Sequence, residues 1–228
     1  MSALKPMYEA YWSRRLTEPT PPRGEIQELL DLNLAPADRV LDMGCGGGAA
    51  IAVARGRSRV VHGCDLAETA LRAGRAAEAV RVCADLNDGL PYRDAAFDAV
   101  TCLEVVEHVL DPALLLRETR RVLRPRGTLL LSTPNIRYVR NVARLTVAGE
   151  FPHTTTDDGV WGGGHLHYFT RRDLRGLLRA AGFGAVEFTV NPWQFRRSWK
   201  RRWLARALGR ERFGEWLCAG IFLRAVKE

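Results

Sequence analysis

The chain has 228 residues, 46% of them hydrophobic, with 34 Lys and Arg against 26 Asp and Glu for a net charge of +8. That length supports one sizeable core, and the absence of an apolar run of about 18 residues excludes a membrane-spanning helix. The opening MSALKPMYEAYWSRR has no apolar signal core, and Cys45, Cys64, Cys83, Cys102 and Cys218 form no C-x-x-C pair, so the expectation is a cytoplasmic protein with reduced, buried thiols and no zinc site.

Ile26, Leu29, Leu30 and Leu34 recur at helical spacing ahead of Pro36 and predict a helix over 25–34. RVLDMG (39–44) then reads as a first strand, 47–55 as a helix and RVVHGCD (59–65) as a second strand. AETALRAGRAAE (67–78) reads as a helix, AVRVCAD (79–85) as a third strand and FDAVTCLEV (97–105) as a fourth. DPALLLRETRRVLRP (111–125) predicts a helix ended by Pro125, and GTLLLST (127–133) a fifth strand. A helix is expected in 135–151, a long Gly-rich loop over 152–170, and a helix from Thr170, as N-cap, to Gly182. AVEFTV (185–190) and GIFLRAVKE (220–228) read as the last two strands. Strands alternating with helices specify βαβ units, hence an α/β, doubly wound, Rossmann-like sheet of seven mostly parallel strands with the last antiparallel. The expected organisation is a single domain over 1–228, with an N-terminal lid over about 1–24 and cap insertions over about 135–169 and 192–219.

The chemistry concentrates at strand exits. Asp42 is followed by Gly44, Gly46, Gly47 and Gly48, and Gly44, Gly46 and Ala49 satisfy the spacing G-x-G-x-x-G/A, with Asp65 about 20 residues on. This pattern points to an adenosine-containing cofactor whose ribose hydroxyls Asp65 would bind. Asp42 discriminates further, because a carboxylate beside the turn repels a pyrophosphate and attracts an amino-acid ammonium. S-adenosylmethionine, which carries no phosphate, suits that charge, with Asp85 placed to accept from the adenine amino group and Leu86 beside the ring.

The chain resembles the class I S-adenosylmethionine-dependent methyltransferases through VLDMGCGGG, GCDLAETAL, ADLNDGLPYRDAAFDAVTCLEVVEHV, RVLRPRGTLLLSTPN and HLHYFTRRDLRGLLRAAGF. The last two are similar to the subgroup acting on quinones, sugars and natural products. The resemblance implies S-adenosyl-L-methionine as cofactor and S-adenosyl-L-homocysteine as product. It also implies cofactor contacts at Asp42, Gly44, Gly46 and Gly48, then Asp65 and Leu66, then Asp85 and Leu86, with Glu104 at the methionine end. In some quinone-type relatives the carboxylates and histidine of the fourth-strand motif have been associated with a divalent cation, but nothing in Glu104, Glu107 and His108 requires a metal. Tyr8, Tyr11 and Trp12 match a segment that folds over the cofactor in many relatives, or they pack the first helix on the core.

Methyl transfer to a hydroxyl gains from a base. His108, just past strand four, is the first candidate, against a packing role; His165 and His167 beside Tyr168 are the second, against a merely ordered loop, and His167 is the residue chosen from that pair. The predicted function is transfer to a small molecule, O-methylation of a sugar, quinone or polyketide-like metabolite, with N-methylation of an amine or a non-catalytic cofactor-binding role as alternatives. The absence of Tyr-x-x-x-Lys and of G-K-S/T excludes a short-chain dehydrogenase and a P-loop enzyme, and the fourth strand lacks the N-P-P-Y-type ending of nucleic-acid methyltransferases, so no nucleic-acid partner is expected. In the basic segment 193–216, Trp199, Trp203, Leu204, Ala207 and Leu208 form an apolar stripe. It suits a cap helix over the acceptor pocket, with an anionic or lipid-linked acceptor as a reason for the arginines, in preference to contact with a membrane surface. Neither the acceptor nor the oligomeric state follows from the residues.

Overall fold

The computed structural model describes residues 4–15, 24–74, 79–152, 154, 164–189 and 199–228. Helices α1 (Lys5–Arg15) and α2 (Gly24–Asn33) precede β1 (Ala37–Met43), α3 (Ala49–Ala54), β2 (Ser58–Asp65), α4 (Glu68–Ala73), β3 (Val80–Cys83) and β4 (Phe97–Leu103). Then come α5 (Pro112–Val122), β5 (Leu123–Pro134), α6 (Val139–Ala143), a π-helical turn over 144–148, α7 (Arg171–Ala180), β6 (Phe183–Thr189), α8 (Trp199–Leu208), α9 (Arg210–Leu217) and β7 (Gly220–Lys227). The seven strands form one sheet in the order β3-β2-β1-β4-β5-β7-β6, parallel except for β7, which runs against both β5 and β6. The doubly wound sheet predicted from the strand–helix alternation is thus present, with its last strand antiparallel.

The order reverses between β1 and β4, and this places the carboxyl ends of β1, β2, β3 and β4 along one rim, where open α/β sheets bind ligands. In β1, β2, β4 and β5 exposed residues occur only toward the amino-terminal ends, and the apolar runs that follow fill cores on both faces. Met43, Cys102, Leu115, Leu129 and Leu223 belong to one, and Leu30, Val40, Ile51, Val61 and Leu130 to the other.

Local signals explain most boundaries. Asp111 caps α5 by accepting from the N–H groups of Ala113 and Leu114 at 2.9 and 3.0 Å, with Pro112 at the first helical position. The predicted Pro125 stop comes late: α5 ends at Val122, because Leu123 already pairs with Phe97 and a register shift follows before Ala99. Proline disfavours helix in the residue before it, and the strand takes up the whole stretch. Thr170 caps α7 in a reciprocal capping box with Asp173, and Gly182, at φ 86°, closes its end, both as expected.

Two expectations are corrected. Cys45, Cys64, Cys102 and Cys218 are buried, but Cys83 is exposed at the end of the edge strand β3. The described side chains of the apolar stripe on α8 face outward: Trp203 and Leu208 are 66% and 42% exposed and Ala207 is exposed too, while Ala205, outside the stripe, is buried with Phe213 of α9. The side chains of Trp199 and Leu204 lie outside the described residues, as do His153 and most of the loop before Gly164. No helix among the described residues is long and apolar enough to cross a membrane.

Candidate active site

A cavity of about 160 Å³ opens at the rim of the sheet. Its floor is Gly44, Asp65, Leu66, Asp85 and Leu86; Glu104, Val105 and His108 form one wall; Met7, Tyr8, Tyr11 and Trp12 of α1 lie over it. The glycine turn provides the access. Gly44 and Gly46 have φ of 64° and 48°, and a Cβ on Gly44 would stand 2.4 Å from Val105, so only glycine lets the chain leave β1 this tightly. Gly48, at φ 86°, sits at the start of α3 and does not line the cavity.

Asp65 holds this turn in place. One carboxylate oxygen accepts from the N–H of Gly46 at 2.8 Å and the other from that of Ala67 at 2.9 Å. Burial nonetheless raises its pKa, those backbone donors only partly opposing the effect. Asp42 stands elsewhere. It pairs in register with Thr101 of β4, accepts a 2.6 Å hydrogen bond from that hydroxyl, and does not line the cavity. Burial pushes its carboxyl up to about 7. Asp42 thus stands behind the cavity, and Asp65, Asp85 and Glu104 are the acids that line it.

Glu104 adopts φ 56°, a left-handed backbone that non-glycine residues rarely take and that clusters at functional sites. Ser132 of β5 holds it there: its hydroxyl accepts from the Glu104 N–H at 3.1 Å and donates to the Glu104 carboxylate at 2.7 Å. Ser132 escapes sequence reading because nothing marks one serine within a buried strand. Asp85 accepts from both the backbone and the side-chain amide of Asn87, which fixes the turn after β3 beside Leu86.

His108 is on the cavity wall with a defined tautomer. Its Nδ1 lies 3.1 Å from the carbonyl oxygen of Gly164, which can only accept, so Nδ1 carries the proton and Nε2 keeps its lone pair. Burial lowers its pKa, which keeps the ring neutral at pH 7. His165 stands edge-on to it at 4.6 Å between centroids; burial and the neighbouring His108 bring its pKa down to about 4. His167, chosen from sequence, does not line the cavity; its ring packs against Phe169 at 5.9 Å. Leu166 and His167 both direct their backbone N–H to the Glu107 carbonyl, and the segment is not a regular strand there. Tyr8 also meets His108 edge-on at 6.2 Å, its phenol pushed up to about 12 chiefly by burial.

Glu107, fully buried, accepts from Thr133 through one oxygen and has no partner for the other. Burial, with Glu104 nearby, raises its pKa well above the carboxylate range. One ligand atom from each of Glu107, His108 and His165 lies within 4.8 Å of the others, a donor set that suits a divalent cation.

A glycine turn under a cavity and acids at successive strand exits, on a seven-stranded sheet with an antiparallel last strand, agree with the family that the sequence resembles. The chain belongs to the methyltransferase-domain family, which it matches over residues 11–187. Among curated proteins it is 35% identical over 147 residues to a ubiquinone biosynthesis O-methyltransferase of Neisseria meningitidis, covering 56% of this chain and 61% of that one. It is 30% identical over 164 residues to the corresponding protein of Thiobacillus denitrificans, covering 66% of each. The match thus spans about three fifths of the Neisseria relative's length. In fold it is similar, at 18% identity and a TM-score of 0.68, to a chain of the complex between the Haloferax volcanii Trm112 methyltransferase activator and a methyltransferase, with 98% and 97% of the chains covered. It is likewise similar to a Haemonchus contortus phosphoethanolamine N-methyltransferase in complex with S-adenosyl-L-methionine, at 17% identity, a TM-score of 0.63 and 90% and 52% coverage.

Proposed function

We propose that this protein moves the methyl group of S-adenosyl-L-methionine to a hydroxyl of a quinone-type aromatic small molecule. The observation that carries this reading is His108, a neutral imidazole on the cavity wall whose basic Nε2 is left available by the bond from Nδ1 to Gly164. The names of the curated relatives supply the acceptor class.

Transfer is an in-line displacement. The acceptor hydroxyl gives its proton to His108 Nε2, its oxygen forms a bond to the methyl carbon, and the carbon–sulfur bond breaks with its electron pair going to sulfur. Orientation and exclusion of water account for most of the rate, and the base adds about 10² to 10⁴. Asp65 and Leu66 would take the ribose, Asp85 and Leu86 the adenine, and Glu104 the methionine end. A divalent cation held by Glu107, His108 and His165 would polarise the acceptor oxygen, the task that the base otherwise performs.

Aromatic contacts favour a flat acceptor. Edge-on ring pairs link His108 to His165, His165 to Tyr168 at 6.4 Å and Tyr168 to Phe151 at 4.9 Å, and Phe151, like Leu145 and Val147, is exposed. That surface suits an apolar tail on the acceptor, whereas no described residue of the 192–219 cap reaches the cavity. The test is a labelled-methyl assay over catechols, sugars and amines with mass spectrometry of the product. An aryl methyl ether is expected; turnover confined to amines would overturn the reading.

A further inference from the structure

The methyltransferase reading leaves unexplained how α1 stays over the cavity. None of its residues is fully buried: Met7, Tyr8, Tyr11 and Trp12 are half-buried over the cavity. It nevertheless fills much of the site. The cavity of about 160 Å³ is below the roughly 300 to 1,000 Å³ typical of small-molecule pockets, and Trp12 lies so close over the glycine turn that a Cβ on Gly46 would stand 2.2 Å from its indole. Movement of α1 would therefore widen the way in and out for a nucleoside cofactor.

Beside these ring contacts and a 3.7 Å contact from Lys5 Nζ to Cys83 Sγ, Glu9 ties α1 to α4. Helix α4 starts after Ala67, which supplies no side-chain cap, so its first N–H groups need an acceptor from elsewhere. Glu9 of α1, 59 residues distant in sequence, provides it: Oε1 accepts from the Glu68 N–H at 2.7 Å and Oε2 from the Thr69 N–H at 3.1 Å. The Thr69 hydroxyl also donates to Oε2, and this contact is the main reason that the Glu9 carboxyl sits below its ordinary range. The capped turn directly follows Asp65 and Leu66, so the tie joins α1 to the floor of the cavity.

We infer that Glu9 is the latch of a lid: by capping α4 from α1 it holds Tyr8, Tyr11 and Trp12 over the cavity and sets the rates at which cofactor and product pass. This inference rests on the cofactor site described above. A cap that only stabilised the bound state would slow release alone, whereas a latch slows passage in both directions.

The test uses the full chain with S-adenosyl-L-homocysteine, comparing wild type with Glu9→Ala, which keeps a good helix former in α1, and with Thr69→Val. In rapid-mixing measurements both association and dissociation are expected to be about tenfold faster in Glu9→Ala, the order of effect of losing a helix cap, with a smaller change in affinity. Thr69→Val should move both rates in the same direction and by less. Hydrogen exchange without any ligand provides a readout independent of the cofactor: the Glu68 and Thr69 amides should exchange faster in Glu9→Ala while the β4 and β5 amides keep their protection. An association rate that does not rise, or unchanged exchange at those two amides, overturns the latch. Failure of the wild type to bind S-adenosyl-L-homocysteine, with the exchange effect present, overturns the cofactor reading instead.

Discussion

Asp65 places both carboxylate oxygens on backbone N–H groups, so one side chain fixes the glycine turn and the start of α4 together. Asp65→Ala should weaken S-adenosyl-L-homocysteine binding by about 1.5 to 3 kcal/mol, the usual worth of hydrogen bonds to a charged group, and unchanged affinity by calorimetry would remove it from the site. Asp42 makes a different prediction. Its folded pKa of about 7 lies above its ordinary 3.8, so between those values the folded chain keeps a proton that the unfolded chain has released, and stability falls as pH rises through that window. Asp42→Asn should therefore be more stable than wild type at pH 8, by about 1 to 4 kcal/mol, with the gap closing near pH 4; denaturant melts at the two pH values check it, and a pH-independent difference would contradict it. For His108→Ala, turnover should drop by about 10² to 10⁴ while cofactor affinity holds, and His167→Ala should retain the rate. A full-rate His108→Ala would demote that ring to packing.

Among the elements, boundaries set by local chemistry were readable and those set by distant partners were not. The Thr170 cap, the Gly182 stop and the Asp111 start all lie within a few residues of the helices they govern. Thr170→Ala should cost about 1 kcal/mol of stability, measurable as a shift of the denaturant midpoint, because it removes half of the capping box. The α5 to β5 junction was misplaced because Leu123 answers to Phe97 on the neighbouring strand. The same limit explains the histidines. His165 and His167 are equivalent by alternation, and only the folded chain, in which Leu166 and His167 are held on the Glu107 carbonyl, shows that His165 is the one that meets His108. Glu9 gave no sign in sequence at all, since the helix that it caps begins 59 residues away.

In the molecule as a whole, the reversal of strand order between β1 and β4 brings four strand exits to one rim, and alternation of strands and helices is sufficient to foresee that convergence. The direction of each acid was not foreseeable. Asp42 turns into the sheet toward Thr101, whereas Asp65 and Glu104 turn to the cavity, because side-chain partners across strands decide this and a one-dimensional pattern does not contain them. The charge of +8 is likewise not expressed at the cavity, whose floor and wall carry Asp65, Asp85 and Glu104. An acidic cavity in a basic protein suits a ligand with a sulfonium and an ammonium and disfavours one with two phosphates. Calorimetric titration of the purified protein with S-adenosyl-L-methionine, S-adenosyl-L-homocysteine and a nicotinamide dinucleotide tests this most directly. Saturable binding of the first two at one site with no heat from the third is the predicted result; binding of the dinucleotide with neither of the others would contradict the account.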